Sequence, residues 1–166
     1  MTHRLHLASA AGAGLLAALL WPASAWGQVA VQKVHNLSFG ALVPGATLGT
    51  VTVTPAGARS KDGGVILFTQ TGTVSAALFT VSGGEPDAMC DLSFSAGAGL
   101  TREGGGGTTM TLSGITSSAP ENRITLNGSG GHTGFTVGAT LNVGAGQTPG
   151  SYTATDLSVT VDCPPI

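Results

Sequence analysis

Ser129 and His132 have the residue types of a nucleophile and a base, and they stand three positions apart in a glycine-rich segment. A serine of this kind needs a sharp turn from a strand into a helix and an acidic partner for the base. No helix is predicted after Ser129. The pattern therefore does not predict a serine hydrolase, and we predict no catalytic residue elsewhere in the chain.

The spacing of the acidic residues and of the glycines gives little support for a metal site or a phosphate-binding loop. Glu85, Asp87 and Asp91 cluster around a proline, but they lack the glycine and the distal glutamate of a calcium loop. The glycine run at residues 104–107 lacks the Lys and Ser/Thr of a phosphate-binding loop, and we interpret it as a loop between strands. We therefore predict no metal, no cofactor and no enzymatic activity.

The two cysteines are Cys90 and Cys163. Alternation of apolar residues in residues 90–94 places Cys90 on the apolar face, and the pattern in residues 157–163 does the same for Cys163. In an oxidising compartment such a pair usually forms a disulfide, which would contribute about 4 kcal/mol in the chain-entropy account. Two buried free thiols are the alternative.

The elements that would position these side chains are short alternating strands separated by Gly, Pro and Asn. This pattern predicts an all-β, antiparallel sandwich of about eight or nine strands, with no helix. The predicted strands are residues 31–39, 48–54, 64–69, 77–82, 90–95, 108–112, 123–126, 135–143 and 151–162. Pro44 and Gly45 predict a turn, and a phase slip between Ala154 and Leu157 predicts a β-bulge.

Residues 1–27 have the layout of a cleavable secretory signal peptide. Arg4 precedes an apolar run at residues 7–20, which is too short to span a bilayer, and small residues follow. Cleavage is predicted after Ala25 or Gly27, and an uncleaved anchor is the alternative. We thus expect a secreted protein, periplasmic in transit and then extracellular or on the cell surface, with residues 28–166 as a single β-sandwich domain.

The net charge of the chain limits the classes of molecule that it is expected to bind. The chain has six Lys and Arg against eight Asp and Glu, for a net charge of −2. Nucleic acids and anionic membrane surfaces are therefore not expected partners, and no stable membrane span is expected. The polar surface must consist mainly of Thr, Ser, Asn and Gly, which suits packing against copies of the same chain.

Short motifs recur along the chain in an order that is typical of one family. They include Leu37-Ser38-Phe39-Gly40, Gly49-Thr50-Val51, Val137-Gly138 and Val159-Thr160-Val161. Together they resemble a family of small secreted bacterial domains of unknown function, which is similar to the major subunits of Mat/Ecp-type common-pilus fimbriae. The resemblance implies an immunoglobulin-like sandwich used as a building block at the cell surface, without catalytic residues. It also supports the disulfide, because Cys90 and Cys163 stand where relatives usually have aromatic residues.

A fimbrial subunit would assemble by strand addition, in which an extended segment of one copy pairs with an open sheet edge of another. The candidate donor is residues 28–35, where Val29 and Val31 lie on one face and the alternation then fails at Lys33 and His35. The alternative is that this segment is the first strand of a complete sandwich. The second functional hypothesis is a monomeric extracellular or periplasmic binding module, for example for carbohydrate.

Overall fold

The computed structural model describes residues 28–68, 72–95, 99–104, 109–154 and 157–164. The predicted signal peptide, residues 1–27, lies outside the described residues, as do residues 105–107 of the glycine run. Within the described ranges, one 3₁₀ turn (Pro120–Asn122) accompanies the strands, and no helix is long and apolar enough to cross a membrane.

The described residues form thirteen strands. They are β1 (Ala30–His35), β2 (Ser38–Phe39), β3 (Leu42–Val53), β4 (Arg59–Leu67), β5 (Val74–Ser75), β6 (Ala77–Ser82), β7 (Met89–Phe94), β8 (Gly99–Arg102), β9 (Thr109–Ser117), β10 (Arg123–Thr125), β11 (His132–Val143), β12 (Tyr152–Ala154) and β13 (Val159–Asp162).

The long strand β11 organises an eight-stranded sheet. On one side its first half pairs with β6, which pairs with the edge strand β1, and its second half pairs with β3, which pairs with β4. On its other side lie β9, β8 and β12 in that order. A second layer consists of a three-stranded sheet in the order β10-β7-β13 and a separate pair formed by β2 and β5. All these pairings are antiparallel.

The core follows the alternation of the strands. Val51 and Val53 of β3 are fully buried, whereas Thr52 points outward and its hydroxyl hydrogen-bonds that of Thr140 at 2.9 Å. In β3 one face is therefore apolar and packed, and the other carries neutral threonine hydroxyl groups.

The core has two halves. In the disulfide half, β6 and β11 pack against the three-stranded sheet, and Phe79 stacks on Phe135 with ring centroids 5.7 Å apart. In the open half, the described residues of the second layer that pack on β3, β8, β9 and β11 belong to the short β2–β5 pair and its flanking loops. The second layer therefore covers the disulfide half more completely than the open half.

The predicted all-β antiparallel sandwich is confirmed, but several strands differ from the prediction. Pro44 and Gly45 lie inside β3 rather than at a turn, because the register between β3 and β4 shifts between Pro44 and Gly49. At this irregularity a Cβ on Gly45 would overlap the carbonyl oxygen of Gly64. The Pro-Gly pair therefore accommodates a bulge in close contact with β4 instead of reversing the chain.

The predicted strand at residues 151–162 is split in two. Strand β12 pairs with β8 in the large sheet, and β13 pairs with β7 in the three-stranded sheet. The alternation slips between these two pieces, and residues 155 and 156 lie outside the described part. The slip thus coincides with a change of layer rather than with the predicted β-bulge. The remaining additional strands come from the division of predicted strand 31–39 into β1 and β2 and from the unpredicted β5 and β8.

Candidate assembly groove

An apolar groove with a volume of about 630 Å³ lies on the open half of the sandwich. Its floor includes Leu100 of β8, Met110 of β9 and Leu141 of β11, which are 8%, 5% and 1% exposed. Each of these side chains occupies an inward position of its strand, where a complete second layer would cover it. The groove therefore lies over the half of the large sheet where the described part of the second layer is the β2–β5 pair with its flanking loops.

The first wall is the chain from Leu37 through β2 to Pro44. The guanidinium of Arg59 organises it by donating hydrogen bonds to the carbonyl oxygens of Phe39 at 3.0 Å, Ala41 at 3.3 Å and Phe68 at 2.5 Å. One side chain thereby fixes the backbone of the wall against the end of the β3–β4 hairpin. Such charge-assisted, multidentate bonding is a property of the planar guanidinium.

The second wall is the loop that precedes β12. Tyr152 donates its hydroxyl hydrogen to the carbonyl oxygen of Thr148 at 2.6 Å and accepts a hydrogen bond from the Gln147 amide at 3.0 Å. The Arg102 Nε donates to the Pro149 carbonyl at 3.0 Å. These bonds hold the wall in place through side chains on β8 and β12.

Two short strands border the groove. In the described part of the chain β2 pairs only with β5, and β12 pairs only with β8. Lys33 is the one charged residue among the side chains described around the groove. An apolar groove bordered by short strands suits an extended peptide with apolar side chains on one face.

The candidate donor segment stands at the end of the large sheet's strand order opposite β12, and one of its residues, Lys33, also lines the groove. Strand β1 pairs with β6, with Val31 opposite Val81, and all six of its residues are exposed. Val29 is half-buried against the disulfide half, and Val31 is 36% exposed. The segment is thus attached to its own domain mainly by backbone pairing, and its use as a donor stays a prediction.

The structure joins Cys90 and Cys163 in a disulfide across 73 positions of sequence. Cys90 is fully buried, and Cys163 is half-buried against the same core half. The bond connects β7 to the chain directly after β13, as the pairing expected from the sequence requires. It lies in the disulfide half and not at the groove.

The other residues considered for chemistry are dispersed. The side-chain oxygen of Asn127 accepts hydrogen bonds from the backbone N–H groups of Ser129 and Gly131, which makes this segment a tight turn. Asp91 accepts a hydrogen bond from Arg123 at 2.7 Å. This hydrogen bond raises the pKa of Arg123, and the negative charge of Asp91 raises it further. Among the described residues, no three His, Cys, Asp or Glu side chains come together as a metal site.

The sequence does not predict the groove. Leu100, Met110 and Leu141 have the pattern of ordinary inward-facing core residues, and nothing in that pattern indicates that they line a groove. The sequence also does not indicate the structural role of Arg59. Lys61 and Asp62 follow it on the same strand, so Arg59 does not stand out as an isolated charge.

Comparison with protein families places the chain in one of them. Residues 29–163 match the family described as a domain of unknown function (DUF4402), and the chain belongs to this family. No curated protein and no solved structure matches the chain significantly.

Proposed function

We propose that this DUF4402 chain is a secreted, non-catalytic structural subunit that polymerises at the cell surface by strand addition. In this mechanism the groove of one copy receives residues 28–35 of the next copy. The observation that carries the proposal is the apolar groove, whose floor includes Leu100, Met110 and Leu141 and whose walls include residues of β2 and β12. The resemblance of the chain to the major subunits of Mat/Ecp-type common-pilus fimbriae supports the same function.

The energetics favour a peptide occupant. The floor and walls present apolar side chains, and β2 and β12 each have one partner strand among the described residues, so we expect an added strand to gain hydrogen bonds and apolar contacts at once. Val29 and Val31 project from the same face of the donor segment, and both face the groove floor when its backbone pairs with an edge. A β-branched side chain suits a position of this kind.

The donor segment is also suited to exchange. Its own-chain position leaves β1 exposed along its length, so its transfer to a neighbour uncovers little apolar surface. The backbone hydrogen bonds lost at β6 are replaced at the neighbour's groove edge. The difference in free energy between the two positions therefore comes mainly from burial of Val29 and Val31.

The test is an unboiled, non-reducing denaturing gel of material sheared from cells that secrete the chain. We expect a ladder of multimers that collapses on boiling. Val29→Asp with Val31→Asp should abolish the ladder, because a carboxylate in an apolar groove loses its hydration without a partner. Ala30→Asp with Gln32→Asp adds the same charge to the opposite face of β1 and should leave the ladder in place.

Co-expression of the variant chain with the unchanged chain tests the groove separately from the donor segment. A tagged chain with Val29→Asp and Val31→Asp retains its groove, so it should enter ladders formed by co-expressed unchanged chain. Unchanged ladders in the Val29→Asp, Val31→Asp chain alone would contradict the proposed donor. A single monomer band from secreted unchanged chain would contradict polymerisation and favour the binding-module hypothesis.

A further inference from the structure

The disulfide fastens the end of a strand at the edge of the three-stranded sheet. Strand β13 ends at Asp162, directly before Cys163, and its one partner among the described strands is β7. The register pairs Asp162 with Asp91, so one further step along both strands places Cys163 opposite Cys90. The bond therefore joins two neighbouring antiparallel strands of one sheet rather than two layers.

The two cysteines occupy a pair position without backbone hydrogen bonds. The Ser95 N–H donates to the Ser158 carbonyl at 3.0 Å, so these two residues form a hydrogen-bonded pair of the ladder. The two kinds of pair alternate along antiparallel strands, and the cysteines lie five positions away along each strand. Cys90 and Cys163 are therefore a non-hydrogen-bonded pair, and their Cα separation of 4.1 Å agrees with this assignment. At this level of the ladder the sulfur bridge takes the place of backbone hydrogen bonds.

The two neighbours of β7 differ in how deeply they enter the core. On one side, Ile124 of β10 and the following Leu126 are 4% and 1% exposed. On the other side, Val159 and Val161 of β13 are half-buried, and none of the four residues of this strand is fully buried. The side chains of β13 therefore lose less burial on release than those of β10 would lose.

The charges on the three strands favour the same difference. Arg123 of β10 donates to Asp91 of β7 at 2.7 Å, which forms an ion pair between these strands. Asp162 of β13 stands directly opposite the same Asp91, and two carboxylates in this position do not attract each other. Without the disulfide, β13 is therefore the neighbour of β7 that opens more readily.

Exchange with a dithiol opens the bond from the Cys163 side. Cys90 is fully buried, whereas Cys163 is half-buried and has the sulfur that a reductant reaches first. A thiolate of the dithiol attacks the Cys163 sulfur, and the electron pair of the broken S–S bond goes to Cys90, which takes up a proton. The second thiol of the reductant then displaces Cys163 as a thiol, and the reductant leaves as a disulfide. Cys90 stays neutral in its apolar site, where the Ala88 carbonyl oxygen lies 4.0 Å from its sulfur as an acceptor.

We infer that the Cys90–Cys163 disulfide is a redox switch that controls the Cys163 end of β13. Reduction by a dithiol releases this end from β7, while β10 and the large sheet stay in place. The release uncovers the edge of β7 and the side of the core on which Val159 and Val161 pack. An oxidising compartment keeps the strand closed. The switch operates within one copy and does not require strand addition.

Amide hydrogen exchange of the folded chain, with and without a dithiol, tests the switch. Asp162 lies four positions from Ser158, so its amide is hydrogen-bonded to β7 and reports on the Cys163 end of β13. The Leu126 amide is the matched control, because it donates to the Ala88 carbonyl at 2.9 Å on the β10 side of β7. Complete reduction, verified by mass as the gain of two hydrogen atoms, should accelerate exchange at Asp162 at least about tenfold more than at Leu126.

Cys163→Ser provides the control for the bond itself. Exchange at Asp162 in this variant should match that of the reduced unchanged chain and should not respond to the dithiol. Equal acceleration at Asp162 and Leu126 would show that the domain loosens as a whole, and no acceleration at either would show that the ladder alone holds β13. Both results overturn the switch. A bond that the dithiol reduces only after unfolding in urea also overturns it, because Cys163 is then out of reach in the folded chain.

Discussion

Cys90 and Cys163 illustrate what single residues in this chain determine. The inward direction of both cysteines follows from period-2 alternation, and the structure joins them. Arg59 could not be assigned in the same way, because its three carbonyl acceptors lie on segments that come together only in the folded chain. The position of a residue that follows the apolar alternation of a strand can be predicted from the sequence. The hydrogen bonds of a residue that contacts irregular backbone from distant segments cannot.

Removing the disulfide should destabilise the domain without changing its fold. The bond closes a loop of 73 positions, so the chain-entropy account gives a loss of about 4 kcal/mol in the free energy of unfolding for Cys90→Ala with Cys163→Ala. Urea unfolding followed by circular dichroism measures this loss. Reductant should destabilise the unchanged chain similarly and leave the double variant unaffected. Equal stability of the two chains without reductant would contradict a stabilising role of the bond.

At the scale of elements, strands such as β3 and β6, which contribute buried residues to one or the other core half, follow the sequence prediction. The short strands do not. Strand β6 has its predicted bounds, and β3 shows the predicted alternation of buried Val and outward Thr. Strands β2 and β5 have two residues each, too few for a periodic signal, yet they are the layer that borders the groove. Their position depends on side-chain and backbone contacts made by distant segments.

The three hydrogen bonds that Arg59 donates, called the Arg59 clamp below, should hold the first wall of the groove in place. Arg59→Lys keeps the charge but cannot bond three carbonyl groups in one plane, so we expect the free energy of unfolding to fall by about 2 kcal/mol. Hydrogen exchange of the Phe68 amide should become faster, because its bond to Ala41 lies beside the clamp. Lys61→Gln on the same strand is the control. Unchanged exchange at Phe68 in the Arg59→Lys chain would show that the clamp does not hold the wall.

At the scale of the whole molecule, the proposed assembly depends on how the described strands are distributed between the two layers. An all-β sandwich follows from the strand pattern, but the pattern does not say how many strands each layer receives. The C-terminal strand changes layer between β12 and β13, so the three-stranded sheet covers only the disulfide half. The groove is the consequence of this distribution, and we interpret it as the place for a strand from another copy.

If a strand is what the groove lacks, a copy of residues 28–35 attached to the same chain should occupy it. A flexible Gly/Ser linker of about 15 residues after residue 166 has a root-mean-square span of roughly 20 Å, and it gives the attached strand a millimolar effective concentration. We expect the extended chain to melt at least about 5 °C higher, because the bound strand stabilises only the folded state. It should also stop forming ladders, because its groove is filled. The matched control carries Asp at the two positions of the added strand that correspond to Val29 and Val31. If both extended chains melt together and still form ladders, the added strand does not enter the groove, and the apolar floor of Leu100, Met110 and Leu141 is not its binding site.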